Sequence, residues 1–386
     1  MAIRAFLSAF CREILFLRHS FWDRVVILWM PLLLLGLPAM QFSSGVIRNL
    51  PIIIVDQDQT QASRELAHRI DAAPEVRVLA RIPDFGEAEE HVRARKAYVL
   101  VMIPDGAESD ILQGGSAAIS IFYNASYSTA SGSALRAVRA AVQDYSAKLA
   151  IERVAAFGTS QARPAPVTVQ TTILFNPQRS YEFQLVSLLH PALLHLAFMI
   201  AVTGALGREL RDGTIGDWLA GRPGAASAIA GKLAPYGLVF MVWGGLATSY
   251  LAVLRGWPIH GSLPLIMAGY LAMYAAYAGI ALFIVGLTRS MLQSLSMSGL
   301  YAGASFAFAG AIFPIQSASS FAQFWSAILP YTWFAKLLSE QWSMASPPSV
   351  SLGHIGIMMF MALAGTVMGL PSYIRSASQP ASWGRR

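Results

Sequence analysis

The chain has 386 residues, 55% of them hydrophobic and only 13% charged, a mean hydropathy of +0.50, and a formal charge of +7 from 28 basic and 21 acidic side chains. Water-soluble domains carry roughly 25% charged residues, so an ordinary soluble enzyme is excluded. The single cysteine, Cys11, excludes a disulfide framework or a multi-cysteine metal site and reads as a small apolar residue near a membrane surface.

From the N-terminus, residues 1–24 are amphipathic (IRAFLSAFCREILFLRHSFWDR, 3–24) and are expected to form a cytoplasmic interface helix. Residues 25–44, VVILWMPLLLLGLPAMQFSS, carry no charge and match the roughly 20 apolar residues that a helix needs to cross a bilayer. Arg4, Arg12, Arg18 and Arg24 precede this run as they would in a secretory signal. The preceding segment is too long for an n-region, however, and no A-x-A-like site follows, so a retained anchor is expected.

Residues 45–183 make one domain-sized excursion. A β-rich run, PIIIVDQD (51–58), precedes a helical stretch (61–73), a short strand (76–80), a helix (85–96) and the strand AYVLVMIP (97–104). A short helix after Asp105, a strand at 117–124 and a long helix from Ser128 to Phe157 follow. A break over Ala162–Pro166 then leads into a returning strand at 167–176. This alternation predicts an α/β layer structure. Asp56, Asp58, Asp71, Glu87, Glu89 and Glu90 lack the His or Cys spacing of a hydrolytic or metal site. VDQDQTQAS lacks the Gly and the bidentate Glu of a calcium loop, so it reads as a strand leading to a helix N-terminus, where the dipole favours acids.

Residues 184–374 hold five more runs of spanning length, 184–206, 233–254, 263–287, 291–313 and 352–374, each without Asp, Glu, Lys or Arg. The expected fold class is therefore membrane α-helical, with six transmembrane helices and an inserted extracytoplasmic α/β domain. With the N-terminus inside, residues 1–24, 207–232, 288–290 and the tail 375–386 face the cytoplasm and hold twelve basic and five acidic residues. That accounts for the whole +7 and leaves the exterior balanced, as the positive-inside rule demands. The basic excess thus records orientation, with both termini cytoplasmic, and no nucleic-acid partner is expected.

Ion-driven transporters carry ionisable groups within their spans. Here the candidates are His190 and His195, and five residues of helix set them roughly 140° apart, which argues against a shared metal. No metal or cofactor is expected in this chain. Gln184, His190, Thr203 and Gln293 are the polar candidates for lining a pathway. The nearest approach to a phosphate loop, AASAIAGKL (225–233), lacks the first Gly and has Leu233 where Ser or Thr must hold magnesium. A motor would have to be another polypeptide, docking on the inner loop 207–232. That loop turns at Asp212-Gly213 and continues as a short amphipathic segment with Ile215, Trp218 and Leu219 toward one side, able to insert apolar knobs into a partner.

Several markers occur in order: NLPIIIVDQDQTQASREL (49–66), AYVLVMIP (97–104), FNP (175–177), RELRDGTIGDWLA (208–220) with Gly231-Lys232, FAGAIFP (308–314) and LPYTW (329–333). In this combination the chain resembles the membrane permeases of type-2 ABC exporters, the bacterial group with a large domain after the first span. The resemblance implies an inner-membrane permease paired with a second copy or a close homologue. It also implies a cytoplasmic ABC ATPase that holds the ATP and Mg and docks on the inner loop as a coupling helix. Glu209, Gly213 and Thr214 occupy the E-x-x-x-G-T positions of that segment, with Ile215 and Trp218 following. Residues 314–343 look like the short outer re-entrant helices of the family. A periplasmic adaptor, membrane lipid and an amphiphilic, drug-like or lipid-like substrate are further implied. A second reading is a membrane-anchored receptor or envelope scaffold that binds a ligand or protein through its outer domain without transport.

Overall fold

The computed structural model describes residues 2–43, 48–113, 115, 117–157, 180–220, 224–310 and 314–384; the expected returning strand at 167–176 lies outside them. The chain divides into two compact units, one formed by Met1–Ser43 with Leu174–Arg386 and the other by Ser44–Ile173.

In chain order, the first unit begins with α1 (Ala2–His19) and α2 (Phe21–Gln41). The inserted unit holds β1 (Leu50–Asp56), α3 (Gln61–Asp71), β2 (Val76–Ile82), α4 (Phe85–Arg93) and β3 (Val99–Ile103), then α5 (Ala107–Leu112), β4 (Ser120–Tyr123) and α6 (Ser128–Phe157). The first unit resumes with α7 (Tyr181–Arg211), α8 (Ile215–Leu219), α9 (Ala225–Leu254) and α10 (Leu263–Thr288). It closes with α11 (Met291–Gly303), α12 (Ser305–Phe308), α13 (Ser320–Ala327), α14 (Pro330–Ser339) and α15 (Pro348–Ala377).

The inserted unit has one sheet in the order β2-β1-β3-β4, parallel except for the last pair. Side chains alternate across a strand, so a β1 that is apolar throughout must be covered on both faces. Ile52 and Ile54 pack with Leu66 and Ile70 of α3 and Val138 of α6, while Ile53 and Val55 pack with Ala88 of α4. Thr60 caps α3 through the Ser63 amide, and Asp84 caps α4 through that of Glu87. At the end of β1, Asp56 is buried; it accepts from Ser63 Oγ at 2.9 Å and the Gln59 amide at 2.9 Å, and it pairs with Arg81. Burial alone would raise its carboxyl, but these donors outweigh that and hold it below the ordinary 3.8.

Among the described residues, five helices are long and apolar enough to cross a membrane: α2, Glu182–Arg211 within α7, α9, α10 and α15. The central pair, α7 and α10, bury 72% and 61% of their apolar windows, whereas α2 buries 17%. The expected fifth span over 291–313 is not one continuous helix. α11 stops at Gly303, α12 adds four residues, and 311–313 lie outside the described residues. Two tight contacts fix the frame. A Cβ on Gly279 of α10 would lie 2.4 Å from the Ala362 carbonyl oxygen of α15, and one on Gly369 would lie 2.5 Å from the Phe283 amide nitrogen. Gly365-x-x-x-Gly369 therefore sets α15 backbone to backbone against α10, the close approach that small residues permit between membrane helices. Residues 315–344 form short helices broken before Ser320 and at Leu329–Pro330, where Pro330 opens α14.

Candidate functional site

The helix ends change the expected inner loop of 207–232. α7 runs on to Arg211 and α9 begins at Ala225, so only 212–224 connects them, with α8 inside that connection. Hydropathy cuts the spans at 206 and 233 because charged residues lie just beyond each boundary, Arg208 and Glu209 after the first and Lys232 before the second. In the folded chain those charges lie on helix and meet one another.

The meeting point is a buried ion cluster. Lys232 Nζ donates to Glu13 Oε2 at 2.5 Å and to Glu209 Oε1 at 2.7 Å. Glu13 Oε1 also accepts from Arg208 Nη2 at 2.7 Å and Tyr236 OH at 2.8 Å. Glu209 takes Thr214 Oγ1 at 2.5 Å and Trp218 Nε1 at 3.0 Å on one oxygen, and Arg12 at 3.1 Å on the other. Arg208 reaches on to Asp23 at 2.7 Å and lies over the Phe16 ring, while Arg12 lies over Trp218. Three carboxylates thus face three cations, and Lys232, Glu13, Glu209 and Arg208 are 0, 1, 6 and 8% exposed. Burying charge is unfavourable unless every ion is paired and hydrogen-bonded, and here each is.

Local structure puts these groups in place. α1 buries Ala9, Glu13 and Leu17, one stripe at four-residue spacing that carries a carboxylate in its middle. Gly231, beside Lys232, admits α1 closely, since a Cβ there would sit 2.2 Å from the Phe6 carbonyl oxygen. Gly213, at φ +70, supplies the left-handed turn that sends Thr214 and Trp218 back to Glu209. Over this turn lies Trp383 from the C-terminal segment. A Cβ on Gly216 would meet its ring at 2.9 Å, and the Gly384 amide donates to the Leu210 carbonyl at 3.0 Å.

Of the expected coupling residues, Glu209, Thr214 and Trp218 therefore come together and Gly213 forms their turn. The expectation that Ile215, Trp218 and Leu219 present apolar knobs is corrected: at 0, 7 and 1% exposed they are seated in the chain's own core. Arg211, Asp212, Thr214 and Asp217 are the exposed side chains of this segment. Sequence reasoning missed Glu13, Arg208, Lys232 and Tyr236. A glutamate centred on the apolar stripe of α1 was the available signal. Lys232, the would-be phosphate-loop lysine, is enclosed within α9 and bound to two carboxylates.

The pathway candidates do not converge. Gln184 and Thr203 lie roughly 28 Å apart along one helix, and Gln184 and Gln293 are exposed. His190 Nε2 meets the Leu35 carbonyl of α2 at 3.1 Å, and Thr203 meets Ser298 of α11 at 2.9 Å. His195 stacks between Tyr277 and Tyr331 and hydrogen-bonds backbone carbonyls. No group of three or more His, Cys, Asp or Glu suited to a metal occurs among the described residues. What the arrangement does is lock α1, α7, α8 and α9 to one another. The family model described as ABC-2 family transporter protein matches residues 21–370. No curated protein matches the chain.

Proposed function

The chain belongs to the ABC-2 family of transporter proteins, and on that premise we propose that it is the permease subunit of an exporter driven by a separate cytoplasmic ATPase. The substrate class is amphiphilic, drug-like or lipid-like, moved outward across a bacterial inner membrane. The ATPase holds ATP and Mg and docks on the exposed side of the turn, at Arg211, Asp212, Thr214 and Asp217. Both termini are cytoplasmic, α11 with α12 makes a sixth crossing, and the inserted unit and 314–343 lie outside. A second permease copy or close homologue completes the pathway, and the inserted unit offers a surface to a periplasmic adaptor.

The observation that supports this reading is the ion cluster. A push on α8 reaches Glu209, and through Lys232 it reaches both α9 and the N-terminal helix. Such a cluster makes a handle of the turn, converting displacement at the cytoplasmic edge into joint movement of helix ends. The test is to co-purify the chain with the ATPase encoded beside it and measure substrate-stimulated turnover. Asp212→Arg with Asp217→Arg, both at exposed positions, is expected to release the ATPase while the permease stays folded. Glu209→Ala is expected to keep the ATPase bound but lower stimulated turnover. If no ATPase co-purifies, or if both variants extrude substrate as the parent does, the reading is overturned.

A further inference from the structure

The inserted unit holds a cavity of about 280 Å³ at the carboxyl ends of β1 and β3, between α3, α5 and α6. Open α/β sheets place ligands at this edge, and small-molecule sites begin at roughly 300 Å³. The wall is apolar, with Leu66, Ile103, Val142 and Leu149, and Asp58 and Tyr145 add polar groups.

Charge selects the class of occupant. The two helix N-termini beside the cavity would attract an anion, but the chain's own carboxylates already cover them. Asp58 Oδ2 accepts from the Glu108 amide at 3.2 Å, and Glu108 Oε1 accepts from the Ala62 amide at 3.1 Å. The nearby cations Arg69 and Lys148 are both paired with Glu65. Among the described residues no basic side chain lines the cavity and Asp58 Oδ1 accepts no hydrogen bond. An apolar chamber with one available carboxylate oxygen is complementary to a molecule with an apolar body and a single ammonium group.

We propose that this cavity is a binding site for a small amphiphilic amine, its apolar body between α3 and α6 and its ammonium on Asp58. The site rests on the inserted unit alone and stands or falls independently of the transport reading. It also accounts for a hole in an otherwise well-covered sheet face.

The test uses the full-length chain in detergent, with Cys11→Ser as background and a reporter cysteine at the cavity wall, Ile111→Cys. A second reporter, Glu90→Cys on α4 across the sheet, serves as the control. The probe is phenethylamine, compared with phenethyl alcohol and phenylpropionate, which share its body and differ in head group. At ten times its Kd the amine is expected to slow maleimide labelling of Ile111→Cys about tenfold by mass action and to leave Glu90→Cys unchanged. Asp58→Asn is expected to abolish protection. So is Ala62→Phe, which fills the cavity from a half-buried position and spares the core if Asp58→Asn disturbs folding. Equal protection by the alcohol overturns the assigned class. Absence of protection, or a reporter that does not label without amine because the chain itself covers the cavity, overturns the site.

Discussion

Replacing Lys232 by Met keeps the length of the side chain and removes the cation shared by Glu13 and Glu209. The ammonium is fully enclosed, 2.5 Å from one carboxylate and 2.7 Å from the other. Removing one partner of a buried ion pair costs about 3–5 kcal/mol, chiefly because the charge left behind stays buried without compensation. Arg208 still serves Glu13 and Arg12 still serves Glu209, so the lower end applies. About 3 kcal/mol is roughly a hundredfold in the equilibrium for opening α1 away from α9. Ala9 lies on the same buried stripe as Glu13, so Ala9→Cys in the Cys11→Ser background reports that opening through its labelling rate. The rate is expected to rise roughly a hundredfold in Lys232→Met where opening and closing are fast, since labelling then follows the open population. Adding Glu13→Gln restores charge balance and should recover much of the loss, so the two substitutions combine non-additively. An unchanged labelling rate in Lys232→Met, or a double variant equal to the sum of the singles, refutes the reasoning.

Gly231→Ala places a Cβ where the Phe6 carbonyl oxygen lies and should lift α1, costing about 1–3 kcal/mol as overpacking does; the Ala9→Cys reporter reads this as faster labelling. Trp383→Ala uncovers Gly213 and Gly216, and losing a partly buried aromatic contact of about 1–2 kcal/mol should speed tryptic cleavage after Arg211. Asp56 predicts an acid limit for the inserted unit. Its carboxyl is held below 3.8, so its contribution is complete above that value and is lost as pH falls through the lower folded value. The protection factors of the β1 amides, corrected for the intrinsic slowing of exchange toward acid, should therefore fall at low pH in the parent and show a flatter acid limb in Asp56→Asn; equal limbs would count against the assignment.

Local pattern reaches as far as local causes do. The strands and helices of 51–157 follow from β-branched runs such as Ile52–Val55, bounded by the capping residues Thr60 and Asp84, and each expected element is present. At 291–313 hydropathy marks a run of spanning length and is silent on the interruption after Gly303. The ion cluster was out of reach because its members lie far apart in sequence: Arg208 is 195 positions from Glu13, and Tyr236 is 223. Sequence could place Glu209, Gly213 and Thr214 through the E-x-x-x-G-T pattern. It could not say that Trp218 turns inward, since a five-residue helix looks equally amphipathic whether its apolar side meets a partner or its own chain.

The cluster also constrains the order in which the chain can be assembled. Glu13 leaves the ribosome 219 residues ahead of the lysine that neutralises it, and 195 ahead of Arg208. Until both α7 and α9 have been synthesised, the stripe of α1 has a carboxylate that lacks one or both of these cations, and burial is unfavourable. Seating of α1 must therefore await translation of the third crossing helix. The segment made first is among the last to settle, and a truncated nascent chain keeps its N-terminal helix loose and open to proteolysis.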